Sequence, residues 1–354
     1  MNRNHFWRNR RVFVTGHTGF KGSWLALWLD RLGARTTGYA LPPPTTPSLY
    51  ELARVDARID SVIGDVRDAA QLRAAMGAAQ PEIVFHLAAQ PLVRASYMEP
   101  AATFSTNVMG TVNLLDAVRA TPSVRSVVVV TTDKCYRNQE WAWGYRESDP
   151  LGGHDPYSAS KAATELVASA YRASFLEAGG VTVSTARAGN VIGGGDFAQD
   201  RLLPDFVRAA ATDTELEIRH PDATRPWQFV LDPLRGYLEL AERGFAREPG
   251  IADAWNFGPD ENSVRTVREV VDGFITSCSL SRPPRVRFGA QTAQPHEATL
   301  LKLDTSKARA RLAWRPALDL RTTLDLTADW YRTWLEGGDV HALTMKQLAR
   351  HLEA

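Results

Sequence analysis

Tyr157-Ser158-Ala159-Ser160-Lys161 sets a phenol and an ammonium four residues apart. At helical pitch both project from one face. A lysine beside a tyrosine favours the phenolate and draws its pKa from about 10 toward working pH. Tyr157 could then take the proton of a sugar or alcohol hydroxyl. A surface tyrosine and a solvated lysine would show the same spacing, so the pair needs company. Thr131-Thr132-Asp133-Lys134 supplies it, following a run of four valines, Val127 to Val130. Thr132 can hydrogen-bond a reacting hydroxyl. Oxidation of an alcohol needs only such a Thr with Tyr157 and Lys161. Asp133 and Lys134 add an acid and a potential base beyond that need, although adjacent charges at a strand end can also be a solvated turn.

A second constellation lies near the start. Thr15-Gly16-His17-Thr18-Gly19-Phe20-Lys21-Gly22 directly follows the apolar Val12-Phe13-Val14. Glycines at 16, 19 and 22 let the backbone turn tightly, approach a pyrophosphate and pack the following helix closely. The free N–H groups and positive dipole of that helix start favour phosphates. Lys21 precedes Gly22 rather than Ser or Thr, so the loop is not of the Walker type. The expectation is a dinucleotide site, with Lys161 free to hold a nicotinamide ribose and His17 near the nicotinamide or the phosphates. The second strand, ending Thr37-Gly38-Tyr39-Ala40-Leu41, has no acidic residue for an adenosine 2′-hydroxyl and no nearby Arg for a 2′-phosphate. NAD is therefore preferred to NADP. Asp65-Val66 offers a carboxylate to the adenine amino group, or else a helix N-cap at Asp65 or Asp68.

The elements that must position these groups are legible as alternation. Val12–Val14, Thr36–Leu41, Ser61–Asp65, Glu82–Ala88, Ser126–Thr131 and Val181–Arg187 read as strands. Ser23–Leu32, Thr103–Ala120 and Pro156 to about Glu177 read as intervening helices. The valine run is the signature of a strand buried on both faces. Such a rhythm predicts a doubly wound, Rossmann-like parallel sheet, with ligands beyond the carboxyl ends of its strands. After Gly193-Gly194-Gly195 the rhythm loosens. Helices at Leu234–Arg243, Val264–Ser277 and Leu320–Leu335, and a helical tail from His341 to Ala354, alternate with irregular stretches. The division expected is residues 1–190 for cofactor and catalysis and 191–354 as a smaller mixed substrate region, part of which can cross back.

The chain has 354 residues, 44% of them hydrophobic, enough to bury a sizeable core. Lys and Arg number 41 against 40 Asp and Glu, so no single sign is available to grip nucleic acid or an anionic membrane. Two cysteines cannot build a disulfide framework. No secretory leader of roughly 7–15 apolar residues follows the basic start, and no run reaches the ~18 of a membrane span. A cytoplasmic chain is expected. The His and Cys spacings form no metal-ligand set.

With these motifs assembled, the chain resembles the extended short-chain dehydrogenase/reductases over residues 11 to about 320. The resemblance rests on Gly16 to Gly22, Leu87-Ala88-Ala89-Gln90, Thr132 to Tyr136 and Tyr157 to Lys161. Within that family Trp141 to Glu147, Asn190 to Asp196 and Arg225 to Gln228 are similar to the CDP-glucose 4,6-dehydratases. Asp133-Lys134 is the telling pair, because the similar dTDP-glucose enzymes carry Asp-Glu there. The resemblance implies conversion of CDP-D-glucose to CDP-4-keto-6-deoxy-D-glucose, a precursor of deoxysugars for surface polysaccharides. It also implies a bound NAD and a homodimer or homotetramer paired through the Thr103–Ala120 and Pro156–Glu177 helices. Asp133 would protonate the departing 6-hydroxyl, and Lys134, or a water it orients, would take the C5 proton. Asp65, Val66, Leu87, Ala88, Ala89, Gln90, Asn107 and Thr131 join the glycine loop, Tyr157 and Lys161 in the cofactor set. Gln90, Thr132, Asn190, Arg201 and Arg225 fall to the substrate, the arginines suiting a diphosphate. Trp141 and Trp143 either line the sugar pocket or pack. A nucleotide-sugar epimerase, a dehydratase for another nucleotide and a non-catalytic NAD sensor are the competing readings.

Overall fold

A computed structural model describes residues 3–218, 220–280, 283–289 and 300–353. In chain order the strands are β1 (Arg11–Thr15), β2 (Arg35–Ala40), β3 (Asp60–Ile63), β4 (Ile83–His86), β5 (Ser126–Val130), β6 (Thr182–Ala188), β7 (Asn190–Ile192), β8 (Leu216–Ile218), β9 (Thr224–Phe229), β10 (Ala254–Phe257), β11 (Val264–Thr266) and β12 (Val286–Phe288). Seven form one sheet in the order β10-β6-β5-β4-β1-β2-β3. Every neighbouring pair in it is parallel. The direction of winding reverses between β1 and β4, where Thr15 stands opposite His86. A crevice opens at such a reversal. The doubly wound fold expected from the sequence is the fold observed.

Period-2 alternation assigns the valine strand to two cores. Val128 and Val130 pack with Trp24, Trp28 and Phe85, while Val127 and Val129 pack with Phe13, Val84, Leu114 and Val118 on the opposite face. Beyond the large sheet, β7, β9 and β11 make a small mixed sheet, with β7 parallel and β11 antiparallel to β9. β8 and β12 pair in parallel. β10 returns from this second half to the edge of the large sheet beside β6.

Several expected helices differ in detail, among them Pro156–Glu177, which is α-helical to Tyr171 and then makes a π-turn at Arg172–Leu176. The Thr103–Ala120 stretch is interrupted by a π-turn at Ser105–Met109 between helices Pro100–Phe104 and Gly110–Arg119. The extra residue per turn accompanies the buried Asn107, whose amide bonds Gln90 and Ser160. The Val264–Ser277 helix begins later, at Val267, because Thr266 caps it in a reciprocal box with Glu269 and the three preceding residues are β11. The last helix is Val340–Glu353; Ala354 lies outside the described residues.

Candidate active site

Gly16 ends β1 with φ +78°, a conformation that favours glycine. Its amide donates to the Tyr39 carbonyl at 3.0 Å. A Cβ at Gly16 would lie 2.7 Å from the Ala88 amide nitrogen, and one at Gly22 only 2.0 Å from the Gly16 carbonyl oxygen. No side chain caps the Phe20–Arg31 helix at Gly19, so its first-turn amides are left for a ligand. This cradle of close-approaching glycines and uncapped amides fits a dinucleotide pyrophosphate. It opens into a cleft of about 1020 Å³ that runs past Leu41, Asp65, Val66, Leu87, Ala88 and Ala89 to Asp133, Tyr157 and Lys161. A volume near the top of the ~300–1,000 Å³ range of ligand pockets has room for more than one small ligand.

Asp155 caps the Pro156–Tyr171 helix by accepting from the Ser158 amide, and this helix carries both Tyr157 and Lys161 into the cleft. Both are buried. Lys161 Nζ donates to the Val130 carbonyl at 3.2 Å, which ties it to the end of β5. Burial lowers its pKa to about 8, with Glu165 opposing. The phenol does not follow the expectation from spacing. Burial raises the Tyr157 pKa to about 12, hydrogen bonding with Thr132 pulls it down, and Asp133 pushes it up. Desolvation of the phenolate outweighs both the Thr132 hydrogen bond and the Arg201 charge, which favour it.

The turn after β5 presents Thr132, Asp133 and Lys134 to the same cleft. The Thr132 hydroxyl donates to Asp133 Oδ1 at 2.9 Å, and Lys134 Nζ lies 3.9 Å from that oxygen. Asp133 is buried, and its Oδ2 has no protein partner. Asp133 abuts Gly189, where a Cβ would come within 2.9 Å of Oδ2. The site thus holds a phenol, an ammonium and a carboxylate with one spare oxygen around a single space.

Asn190, Arg201 and Arg225 line the cleft from the second half. Arg201 is held by Asp196 at 2.9 Å. Other predicted residues lie elsewhere. His17 turns away from the cleft: its ring covers Gly38, and its Nε2 shares a hydrogen bond of 2.7 Å with Ser61. Burial lowers its pKa to about 4, so no cation is offered to phosphates there. Gln90 and Asn107 brace one another and Thr103 rather than lining the cleft. Thr131 reaches the cleft, yet its hydroxyl is committed to Glu165. Trp141 packs, stacked between Trp143 and Tyr145. Asp65 lines the cleft but is paired with Arg67 at 2.5 Å, and the helix cap is Asp68.

Two features escaped the sequence. Glu165 accepts from Thr131, from Thr185 at 2.6 Å and from Arg187 at 2.9 Å, and thereby fastens the end of β5 and β6 to the Pro156–Tyr171 helix. Its position four residues after Lys161 was a usable signal. The Pro42–Leu49 segment walls the cleft, and nothing in its composition points there. Among the described residues no cluster of His, Cys, Asp and Glu could hold a metal, and no helix is long and apolar enough to cross a membrane.

Comparison with known proteins adds to this geometry. A family model described as GDP-mannose 4,6 dehydratase matches residues 13–327. The CDP-glucose 4,6-dehydratase of Salmonella typhimurium is 48% identical over 99% of this chain and 98% of its own length. The dTDP-glucose 4,6-dehydratase of Xanthomonas campestris is 29% identical, with 92% of this chain and 94% of that protein covered. A crystal structure of the dTDP-glucose 4,6-dehydratase of Streptomyces venezuelae with NAD bound superposes with a TM-score of 0.77. It covers 93% of this chain and 98% of that one, at 26% identity.

Proposed function

The chain belongs to the GDP-mannose 4,6-dehydratase family, and from that premise we propose that it is an NAD-dependent lyase converting CDP-D-glucose to CDP-4-keto-6-deoxy-D-glucose. The juxtaposition that carries the proposal is Asp133 and Lys134 beside Tyr157 and Lys161 in one cleft. A simple dehydrogenase needs only the second pair. The CDP base and the sugar follow from the 48% identical relative.

The glycine cradle and Lys161 would hold NAD, which when bound would supply a reversible hydride acceptor for the sugar. Tyr157 takes the proton of the sugar 4-hydroxyl. Its phenol is held neutral by burial. Binding of a cationic ring beside it would favour the phenolate. The resulting ketone acidifies the C5 hydrogen. Lys134, as the neutral amine and directly or through an oriented water, receives that proton and gives one back to C5 when C6 is reduced. Asp133, its carboxyl retained by Thr132, delivers a proton to the leaving 6-hydroxyl. Arg201 and Arg225 are assigned to the diphosphate and Asn190 to the sugar or its phosphate. Residues 1–190 then carry cofactor and catalysis and residues 191–354 the substrate grip, with β10 crossing back.

A cytoplasmic homodimer or homotetramer completes the proposal. Met98, Phe104, Met109, Leu166 and Phe175 are exposed on neighbouring helical segments, an apolar surface suited to a second copy. The discriminating test is incubation with CDP-, dTDP-, GDP- and UDP-glucose, following the alkali-induced absorbance of a 4-keto product. CDP-glucose should turn over fastest. A clear preference for another nucleotide, or an epimerised product, would overturn the assignment.

A further inference from the structure

Arg187 and the Trp141–Glu147 motif do not line the cleft, yet they meet behind it. Arg187 is buried on β6, which runs between β5 and β10, and it stands directly opposite Asn256 of β10. Nη2 donates to Glu165 Oε2 at 2.9 Å. Nη1 donates to the Tyr136 hydroxyl at 2.7 Å and to the Glu147 carbonyl at 3.2 Å. The guanidinium carbon also lies 4.9 Å from the centre of the Tyr136 ring. The Tyr136 hydroxyl donates in turn to Asn256 Oδ1 at 2.7 Å, and the Asn256 amide donates to Glu147 Oε1 at 2.9 Å. Burial works against the charge of Arg187, but Glu165 outweighs it and holds the guanidinium protonated. Tyr136 directly follows the Asp133–Cys135 turn, and Glu165 lies one helical turn beyond Lys161. One planar fork is therefore bonded both to the turn that carries Asp133 and Lys134 and to the helix that carries Tyr157 and Lys161. An ion pair buried this deeply adds little stability over well-packed apolar residues of the same volume. What it adds is a fixed direction.

We propose that Arg187 is a positioning residue that registers the elimination pair, Asp133 and Lys134, against the oxidation pair, Tyr157 and Lys161, through two separable arms. This inference rests on the dehydratase reading above. The Tyr136 arm fixes the turn after β5 and so serves the elimination. The Glu165 arm fixes the helix and serves the oxidation, and its carboxylate also favours the charge of Lys161. A dehydratase must present one sugar to both pairs without releasing it. A misplacement of about 1 Å in a reacting group can cost on the order of 10²-fold in rate. Oxidation at C4 tolerates loss of the Tyr136 arm, whereas the complete reaction does not. The Trp141–Glu147 motif backs this arm: Tyr145 stacks on Tyr136 with ring centres 5.1 Å apart, and Glu147 closes on both Arg187 and Asn256.

The test is single-turnover mixing of the NAD-loaded full chain with CDP-glucose, following reduced-cofactor absorbance and quenching samples for the 4-keto-6-deoxy product. Tyr136→Phe removes the hydroxyl that Arg187 holds and leaves Glu165 paired. Reduced cofactor should then form at the wild-type rate and persist, its decay slowed by about tenfold. Glu165→Gln should instead slow the formation of reduced cofactor by about tenfold, with none accumulating. Arg187→Lys presents a point charge in place of the fork, keeps the pair with Glu165 and should reproduce the Tyr136→Phe pattern. Arg187→Met should slow both steps. Unchanged rates in these variants, with or without amplitude lost to unfolding, would make the network structural only and overturn the inference. Equal slowing of both steps in Tyr136→Phe and in Glu165→Gln would overturn it as well, because the arms would not be separable. Wild-type chain that reduces no cofactor on mixing with CDP-glucose would defeat the dehydratase reading itself, so the two failures are distinguishable.

Discussion

Asp133 divides its carboxylate: Oδ1 takes the Thr132 hydroxyl, and Oδ2 is left without a protein partner. A group so placed can give a proton without dismantling its own support. Asp133→Asn keeps Tyr157, Lys161 and Thr132, so oxidation at C4 should proceed. Elimination should slow by about 10²–10⁴-fold, the usual share of a general acid. Single-turnover absorbance should then show reduced cofactor accumulating; a variant that never reduces its cofactor would place Asp133 in the oxidation step instead. The identity of these groups was legible because residue type and spacing suffice to name a phenol, an ammonium and an acid. Their ionisation was not, because desolvation is set by everything packed around them. Lys161 illustrates the consequence. Its pKa is 10.5 when solvated and about 8 in the fold. Between those values the unfolded chain binds a proton that the folded chain lacks, so this lysine makes stability rise with pH across that window. Tyr157 acts in the opposite sense above its ordinary value of 10.0, where the folded phenol keeps its proton up to about 12. Denaturant midpoints measured from about pH 8 to about pH 10 should climb less steeply in Lys161→Met than in wild type. Identical slopes would contradict the burial assigned to that ammonium.

At the level of elements, six of the seven strands of the large sheet were readable from apolar runs in the first half, and β10 was not. Helix starts were harder. Thr266-Val267-Arg268-Glu269 carries a capping box, yet the apolar period runs straight through it into β11. Thr266→Ala should cost about 1 kcal/mol of stability, the typical loss of an N-cap. Cofactor affinity should be unaffected, because the cap bonds only within its own helix start. A stability change within error would mean that tertiary packing alone holds this helix start. The π-turn at Ser105–Met109 had no signature in the sequence: Asn107 reads as one polar residue in a helical period until Gln90 and Ser160 arrive from distant segments. His17 was misplaced for a related reason. Loop position suggests phosphates, whereas Gly38 leaves a hollow on β2 that the ring fills.

The whole molecule depends on contacts that sequence distance conceals. β10, four residues long, leaves the second half to complete the large sheet beside β6, and nothing in Ala254–Phe257 names its neighbour. Assembly is equally hidden, because apolar periodicity cannot separate a core face from an intersubunit face. Leu166 is 62% exposed on the catalytic helix. In the assembly proposed above, Leu166→Glu should shift the mass seen by light scattering toward the monomer; a monomeric wild type, or an oligomer unchanged by the substitution, would contradict that interface. The central claim is that one bound cofactor takes a hydride from C4 of CDP-glucose and returns it to C6 of the same sugar. It is tested most directly with CDP-[4-²H]glucose and the purified chain, reading the product by NMR. Deuterium should appear at C6 of a 4-keto-6-deoxy sugar, with no net reduction of added NAD⁺. Deuterium retained at C4, or transferred to free cofactor, would contradict it.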